Sequence, residues 1–130
     1  MKRQLRDLFD QHLESVLGQL PERVDQLLDE VPLVVEDHPS REIMQKMGVR
    51  RRDRLCGLYT GIPLTQRSVE HSGVLPDVIH IYREGILSLA LDRQGRISEE
   101  ELKRQIRITV LHEVGHHHGL DEDELRELGY

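Results

Sequence analysis

Large aromatic side chains are almost missing from this chain. Its 130 residues hold no tryptophan, one phenylalanine (Phe9) and three tyrosines (Tyr59, Tyr82 and Tyr130), so a core must be assembled from Leu, Ile and Val. Cysteine is nearly absent too. Cys56 stands alone, which excludes an intramolecular disulfide and fits a reducing compartment. It lies in an apolar segment, where a thiol packs as a small inert hydrophobe rather than acting as a nucleophile. Positive charge is in short supply: 18 Lys and Arg against 24 Asp and Glu leave a formal net charge of −6. Phosphate binding needs a dense positive field, so no nucleic-acid partner is expected. No apolar run approaches the ~18 residues of a membrane span, and the first residues carry no signal-peptide apolar region. No membrane partner is expected, and the expected location is cytoplasmic.

What is present describes one domain over residues 1–130. The length suits a single core, and 37% hydrophobic residues with 10 glycines match an ordinary globular composition. Leu5, Leu8, Phe9, Leu13, Val16, Leu17 and Leu20 recur at three- and four-residue steps, which predicts an amphipathic helix. Its opposite face carries both signs of charge, so the apolar stripe is expected to pack on a core, not on a membrane. Pro21 suits the first turn of a second short helix through Val24, Leu27 and Leu28. The β-branched run at 31–35 predicts a strand ending at Glu36 and Asp37. Pro39 and Ser40 then open a polar connection or a short helix around 43–47. Residues 55–60 and 78–82 read as two further strands, bounded by Gly57, Gly61, Pro63, Gly73 and Pro76. Residues 86–91 fit either strand or helix. Ser98 with Glu101 caps a long helix, on whose exposed face Glu99–Lys103 and Glu100–Arg104 are expected to pair at i,i+4.

That long helix carries the chemistry. It holds His112-Glu113-Val114-Gly115-His116, preceded by Ile106, Ile108, Val110 and Leu111. On a helix, positions four apart lie about 40° apart and one turn up, so both imidazoles face one point. Two neutral ring nitrogens at that separation can take adjacent corners of a tetrahedral Zn²⁺ site. Glu113, one residue on from His112, points aside from the metal and can act as general base toward a metal-activated water. His117 and His118 lie about 100° and 200° round the helix from His116. A regular helix cannot give them the same metal, so they are expected to pack, face solvent or donate from behind the ligands.

The residues after the motif narrow the choice of a third ligand. Gly119 can adopt φ > 0, end the helix and turn the chain back toward its own last turn. Fourteen residues follow His116, so the third ligand is expected from this tail or from upstream. Glu122 stands six residues after His116, where the H-E-x-x-H-x-x-G-x-x-H peptidases place a third histidine. A carboxylate oxygen is an acceptable zinc ligand. Asp121 with Glu124 forms a capping box for a last helix through Leu125 and Leu128. The favoured reading is Asp121 as cap and Glu122 as ligand, although a small change in the turn would bring Asp121 or Asp123 to the metal instead.

The stretch from Arg107 through Leu125, with His112-Glu113-Val114-Gly115-His116-His117-His118-Gly119 at its centre, closely resembles the small bacterial zincin-like ("minimal") metallopeptidases. The resemblance continues upstream at Pro32-Leu-Val-Val-Glu-Asp37, Leu58-Tyr-Thr-Gly-Ile-Pro-Leu-Thr65 and Leu75-Pro-Asp-Val-Ile-His-Ile-Tyr82, and covers essentially the whole chain. It implies an α+β fold: a small mixed sheet packed against N-terminal helices and a C-terminal metal-binding helix, with that helix under an edge strand. It also implies that His112 and His116 bind zinc, that Glu113 is the base, and that an acidic residue near 122 completes the site. The longer metzincin pattern, with a third histidine and a later methionine turn, is not matched. The three methionines are Met1, Met44 and Met47, all upstream.

The expected function is a zinc metallopeptidase with one Zn²⁺ ion and a peptide or protein substrate. Two alternatives stay open: a metal-dependent hydrolase of a non-peptide substrate such as RNA, or a non-catalytic structural or partner-binding metal module. Glu113 and the acidic net charge favour peptide over RNA. A closed site, for example one completed by His80 or a second carboxylate, would favour the non-catalytic module. The Asp92–Glu101 segment sounds like a calcium loop but has Gln94 and Arg96 at the third and fifth positions, so it reads as a turn before a helix cap. Arg50-Arg51-Arg52-Asp53-Arg54 is the one basic cluster, a solvated loop or a partner-binding patch.

Overall fold

The leucine stripe at the start of the chain forms helix α1 (Arg3–Leu17) in the computed structural model, which describes residues 1–61 and 77–130. Its apolar face buries Phe9, Leu13 and Val16. Pro21 caps α2 (Glu22–Glu30), whose Val24, Leu27 and Leu28 lie partly buried against the same core. The β-branched run becomes β1 (Leu33–Glu36), and α3 (Arg41–Met47) starts where Ser40 Oγ accepts the Ile43 N–H. A 3₁₀ turn at Arg52–Arg54 leads into β2 (Gly57–Thr60). Strand β3 (Val78–Tyr82) runs directly into α4 (Arg83–Leu89), so the ambiguous stretch at 86–91 is helical up to Leu89. Gly85 is required there: a Cβ would collide with the main chain of Leu55, and neither backbone can give way. Helices α5 (Glu99–His117) and α6 (Glu122–Glu127) complete the described chain. Residues 62–65, Gly73 and 75–76, which belong to the sequence blocks and strand-bounding residues noted above, lie outside the described residues.

The three strands form a mixed sheet in the order β1-β3-β2. Central β3 pairs parallel with β1 (Leu33 opposite Ile79) and antiparallel with β2 (Gly57 opposite Ile81). Side chains alternate across a strand, so Ile79 and Ile81 share one face with Gly57 and Tyr59, while His80 points to the other. Ile79 and Ile81 are fully buried in the core, together with Phe9, Ile86, Leu102, Ile106 and Val110. Helix α5 lies on that face, in contact with β2 and β3 on one side and with α1 and α4 on the others. The segment between α4 and α5 is a turn: Asp92 Oδ1 accepts the N–H groups of Gln94 and Arg96, both at 2.9 Å, and Gly95 sits at φ 76°. Ser98 Oγ then accepts the Glu101 N–H and starts α5.

Charged side chains tie the layers at one end. Arg83 grips Asp10 with two hydrogen bonds (2.9 and 3.0 Å) and Asp37 with a third (3.0 Å), and Arg6 closes on Asp37 at 2.6 Å. Arg6, with Arg83 behind it, holds the Asp37 carboxyl below the usual carboxylate range against the opposing effect of burial. On α5 the pairing differs from the i,i+4 expectation. Glu99 lies 2.7 Å from His12 Nε2 on the buried face of α1, and Arg104 pairs with Glu101 instead of Glu100. His12 is the partner of Glu99 in place of the exposed Lys103 because water competes less for a part-buried hydrogen bond. Among the described residues no helix is long and apolar enough to cross a membrane.

Candidate metal centre

Helix α5 puts His112 and His116 one turn apart, and their rings stand edge to face with centroids 4.8 Å apart. A Schellman turn ends the helix just beyond them. The Leu120 N–H reaches Gly115 O (3.0 Å), the Gly119 N–H reaches His116 O (2.9 Å), and Gly119 sits at φ 85°. The chain reverses, and Asp121 opens α6 with a reciprocal capping box: its Oδ1 accepts the Glu124 N–H at 2.8 Å, and Glu124 Oε1 accepts the Asp121 N–H. Glu122 is thereby the first helical residue, aimed back at α5. Its Oε1 lies 2.8 Å from His116 Nε2 and 3.3 Å from His112 Nε2. One ligand atom from each of these three residues lies within 4.8 Å of the others, a grouping that could hold a metal ion. Asp121 is occupied as the cap, and Asp123 pairs outward with Arg126.

A second Schellman turn ends α6. Gly129, at φ 89°, donates to Arg126 O (3.0 Å) and Tyr130 N–H to Leu125 O (2.9 Å). The residue after each glycine then offers a main-chain oxygen to one histidine. Such an oxygen can only accept, so His116 Nδ1–H donates to Leu120 O (3.0 Å) and His112 Nδ1–H to Tyr130 O (3.3 Å). With a proton on Nδ1, a neutral ring turns an Nε2 lone pair inward. The two Nε2 atoms are 3.1 Å apart. Three acceptors facing one another at such range repel unless they share a cation. Corners of a tetrahedron around Zn²⁺, with bonds of ~2.0–2.1 Å, stand about 3.3 Å apart. The observed separations agree with that to within about half an ångström, so the residues present fit the ion.

Glu113 faces a different way, as a neighbour in sequence must on a helix. It is 6% exposed, packed under β2 where Gly57 leaves space: a Cβ on Gly57 would stand 2.8 Å from Thr109 Cγ2 and 3.2 Å from Glu113 Cγ. The Tyr59 main-chain N–H is directed at its carboxylate and favours the ionised form. Burial pushes the Glu113 carboxyl up, with Glu122 adding to the rise; His112, His116 and the Tyr59 N–H pull it partly back. Glu122 moves in the opposite direction. Partial burial acts to raise it, but His112 and His116 together outweigh that and hold it below the ordinary range. The result is two carboxylates with unlike environments on one site, a buried one suited to exchanging protons and an exposed one that stays ionised.

A cleft of about 850 Å³ runs between β2 and α5, with His112, Glu113, His116 and Glu122 on its wall. Cys56 also lines it, half-buried; burial, and then Glu113, push its thiol up to about 11, so it is no thiolate nucleophile at neutral pH. His80 does not join the cluster. It sits on the far face of the sheet, 3.2 Å from Glu36 Oε1, and Tyr82 beside it is fully buried. His117 proves to be buried, 2% exposed, with Nδ1 3.2 Å from Tyr59 Oη and 3.6 Å from Asp77 Oδ2, and Tyr59 Oη–H donates to Asp77 Oδ1. This trio braces β2 on α5 and so holds the Tyr59 N–H over Glu113. His118 is exposed.

Several contributors cannot be picked out from the sequence. Gly115 is only a spacer in the motif, yet it lets the fully buried Leu125 of α6 lie directly on α5. Gly129 repeats the glycine-then-apolar pattern of Gly119-Leu120, which is a signal legible in principle. Main-chain oxygen partners such as Leu120 O and Tyr130 O leave no trace in residue identity. No curated protein matches the chain. Residues 28–130, however, match the family model described as zincin-like metallopeptidase, most of the chain and the whole of the region that builds the cleft, and the protein belongs to that family.

Proposed function

We propose that the protein is a zinc-dependent metallopeptidase in which His112, His116 and Glu122 hold the ion and Glu113 is the general base. The observation that carries this reading is the convergence of three inward lone pairs, with both Nδ1 protons committed to main-chain oxygens, beside a buried carboxylate. A divalent ion held there supplies Lewis acidity, polarising a substrate carbonyl and making a nearby water easier to deprotonate. Glu113 accepts the proton of the attacking water and passes it to the departing amine. Its raised proton affinity suits both transfers. The Tyr59 N–H directed at it favours its ionised form, and packing under Gly57 shields it from bulk water.

Strand β2 supports a peptide as the substrate. Tyr82 N–H donates to Cys56 O at 2.8 Å, so Cys56 and, two residues on, Leu58 turn their main-chain groups toward β3. Gly57 therefore turns its N–H and C=O toward the cleft, and Tyr59 its C=O. An extended peptide can add to this edge by main-chain pairing while its scissile carbonyl lies over α5.

The test compares metal content and turnover in three proteins. His112→Ala should lose zinc by elemental analysis. Glu113→Gln should retain zinc yet fail to cleave a mixed peptide library that the parent cuts. A glutamine variant as active as the parent would reject the enzymatic assignment.

A further inference from the structure

The cleft is electrically asymmetric. Gly57 stands beside Thr109 and Glu113, and Tyr59 reaches Glu113 and His117, so β2 and α5 run in the same direction along it. Arg54 therefore lies toward the Gln105 end of the cleft, and Asp121 toward the His116 end; all four line it. Arg54 is the one Lys or Arg among the described lining residues. Its neighbours in the basic cluster are already paired: Arg51 with Asp53 and Arg52 with Glu84, both at 2.8 Å. Arg54 is exposed and has no ion pair among the described residues. A cation facing the cleft of a protein with net charge −6 is a site for an anion brought by the substrate.

Resting on the peptidase reading above, we infer that Arg54 is a specificity-determining residue that receives a substrate carboxylate two or three residues C-terminal to the cleaved bond. The direction follows from two arguments. Antiparallel addition to β2, the more stable pairing, points the C-terminal side of a peptide toward Arg54. The same orientation sets a peptide's amino end toward Asp121 and its carboxyl end toward the arginine. The distance follows from strand geometry. Arg54 precedes Gly57 by three residues, about 10 Å of extended chain, and Gly57 marks the level of Glu113. The substrate class is peptides with Asp, Glu or a free C-terminus at that place, because a guanidinium recognises each through the same fork of N–H donors.

The experiment uses the zinc-loaded full chain and pools of randomised, internally quenched octapeptides. One pair of pools differs only in a free against an amidated C-terminus; a second pair carries Asp or Asn at a single internal position. Mass spectrometry of the products locates each cut. The parent should cut acid pools faster than their neutral partners, with the carboxylate two or three residues beyond the cut. Arg54→Gln should erase the ratio, by about fivefold through KM rather than kcat, as expected for an exposed ion pair. Arg54→Glu should invert it in favour of the neutral partners, and Arg50→Gln, outside the cleft, should leave it as in the parent. Whichever of the free terminus and the Asp side chain shows the ratio identifies the source of the carboxylate. A ratio of one in the parent, or one unmoved by Arg54→Glu, overturns the inference and leaves the peptidase reading intact. If no pool is cut, the peptidase reading fails; binding of the same peptides to the zinc-loaded Glu113→Gln protein, by fluorescence anisotropy, then decides Arg54, and equal affinity for acid and amide overturns the inference too.

Discussion

Substituting Gly115 by alanine should damage the metal centre without touching any proposed ligand. A Cβ at Gly115 would fall far inside the ~3.5–4.0 Å of ordinary carbon contact with Leu125 Cδ2. Leu125 has no exposed surface, so it has no solvent side to swing into. It is also the single buried residue of six-residue α6, and the helix must shift by more than about 1 Å or lose its anchor. Glu122 sits one turn before Leu125 on that helix and moves with it. Overpacking of this kind costs about 1–3 kcal/mol, here borne by the docking of α6, which corresponds to roughly 5- to 150-fold in zinc affinity. Competition against a chromogenic chelator reads that loss. Adding Leu125→Ala restores the space, so the double variant should bind zinc no worse than Leu125→Ala alone, a coupling that independent sites would not show. Gly115→Ala with parental affinity and an unchanged melting curve, or a double variant whose losses simply add, would refute the reasoning.

Two other substitutions test one contact behind a proposed ligand and one ion pair away from the site. Gly129→Ala places a side chain at φ 89° and should displace the Tyr130 main-chain oxygen that accepts from His112 Nδ1–H. Zinc affinity should fall about 10- to 100-fold, the usual consequence of losing a ligand's outer hydrogen bond, with His116→Ala as the reference for an emptied site. Arg6→Gln should lower the melting temperature at neutral pH. Because Arg6 depresses Asp37 in the folded protein, its contribution is present above the unfolded carboxyl pKa of about 3.9 and is lost as pH falls through the lower folded value. The gap in melting temperature between parent and variant should therefore close on acidification, and a gap that persists through the acid transition would exclude the pairing as its source.

Residue order alone determined a good deal about this protein. Helical periodicity put His112 and His116 on one face, Gly119 announced the reversal, and Asp121 with Glu124 announced the cap. Those are local effects, written within a few residues of where they act. The β-branched run at 31–35 and the Gly- and Pro-bounded segments at 55–60 and 78–82 located the three strands of the described sheet for the same reason. Only the tertiary structure decided what the site rests on. Which strand covers Glu113, that Gly57 yields it room, that the Tyr59 N–H is directed at it and that His117 braces Tyr59 are contacts between segments more than fifty residues apart. The expected Glu99–Lys103 pair gave way to His12 on the same ground, since the part-buried hydrogen bond comes from a residue of another helix that local spacing cannot reveal. Partners of the two histidines are main-chain oxygens, whose positions depend on how the backbone turns and not on which side chains it carries.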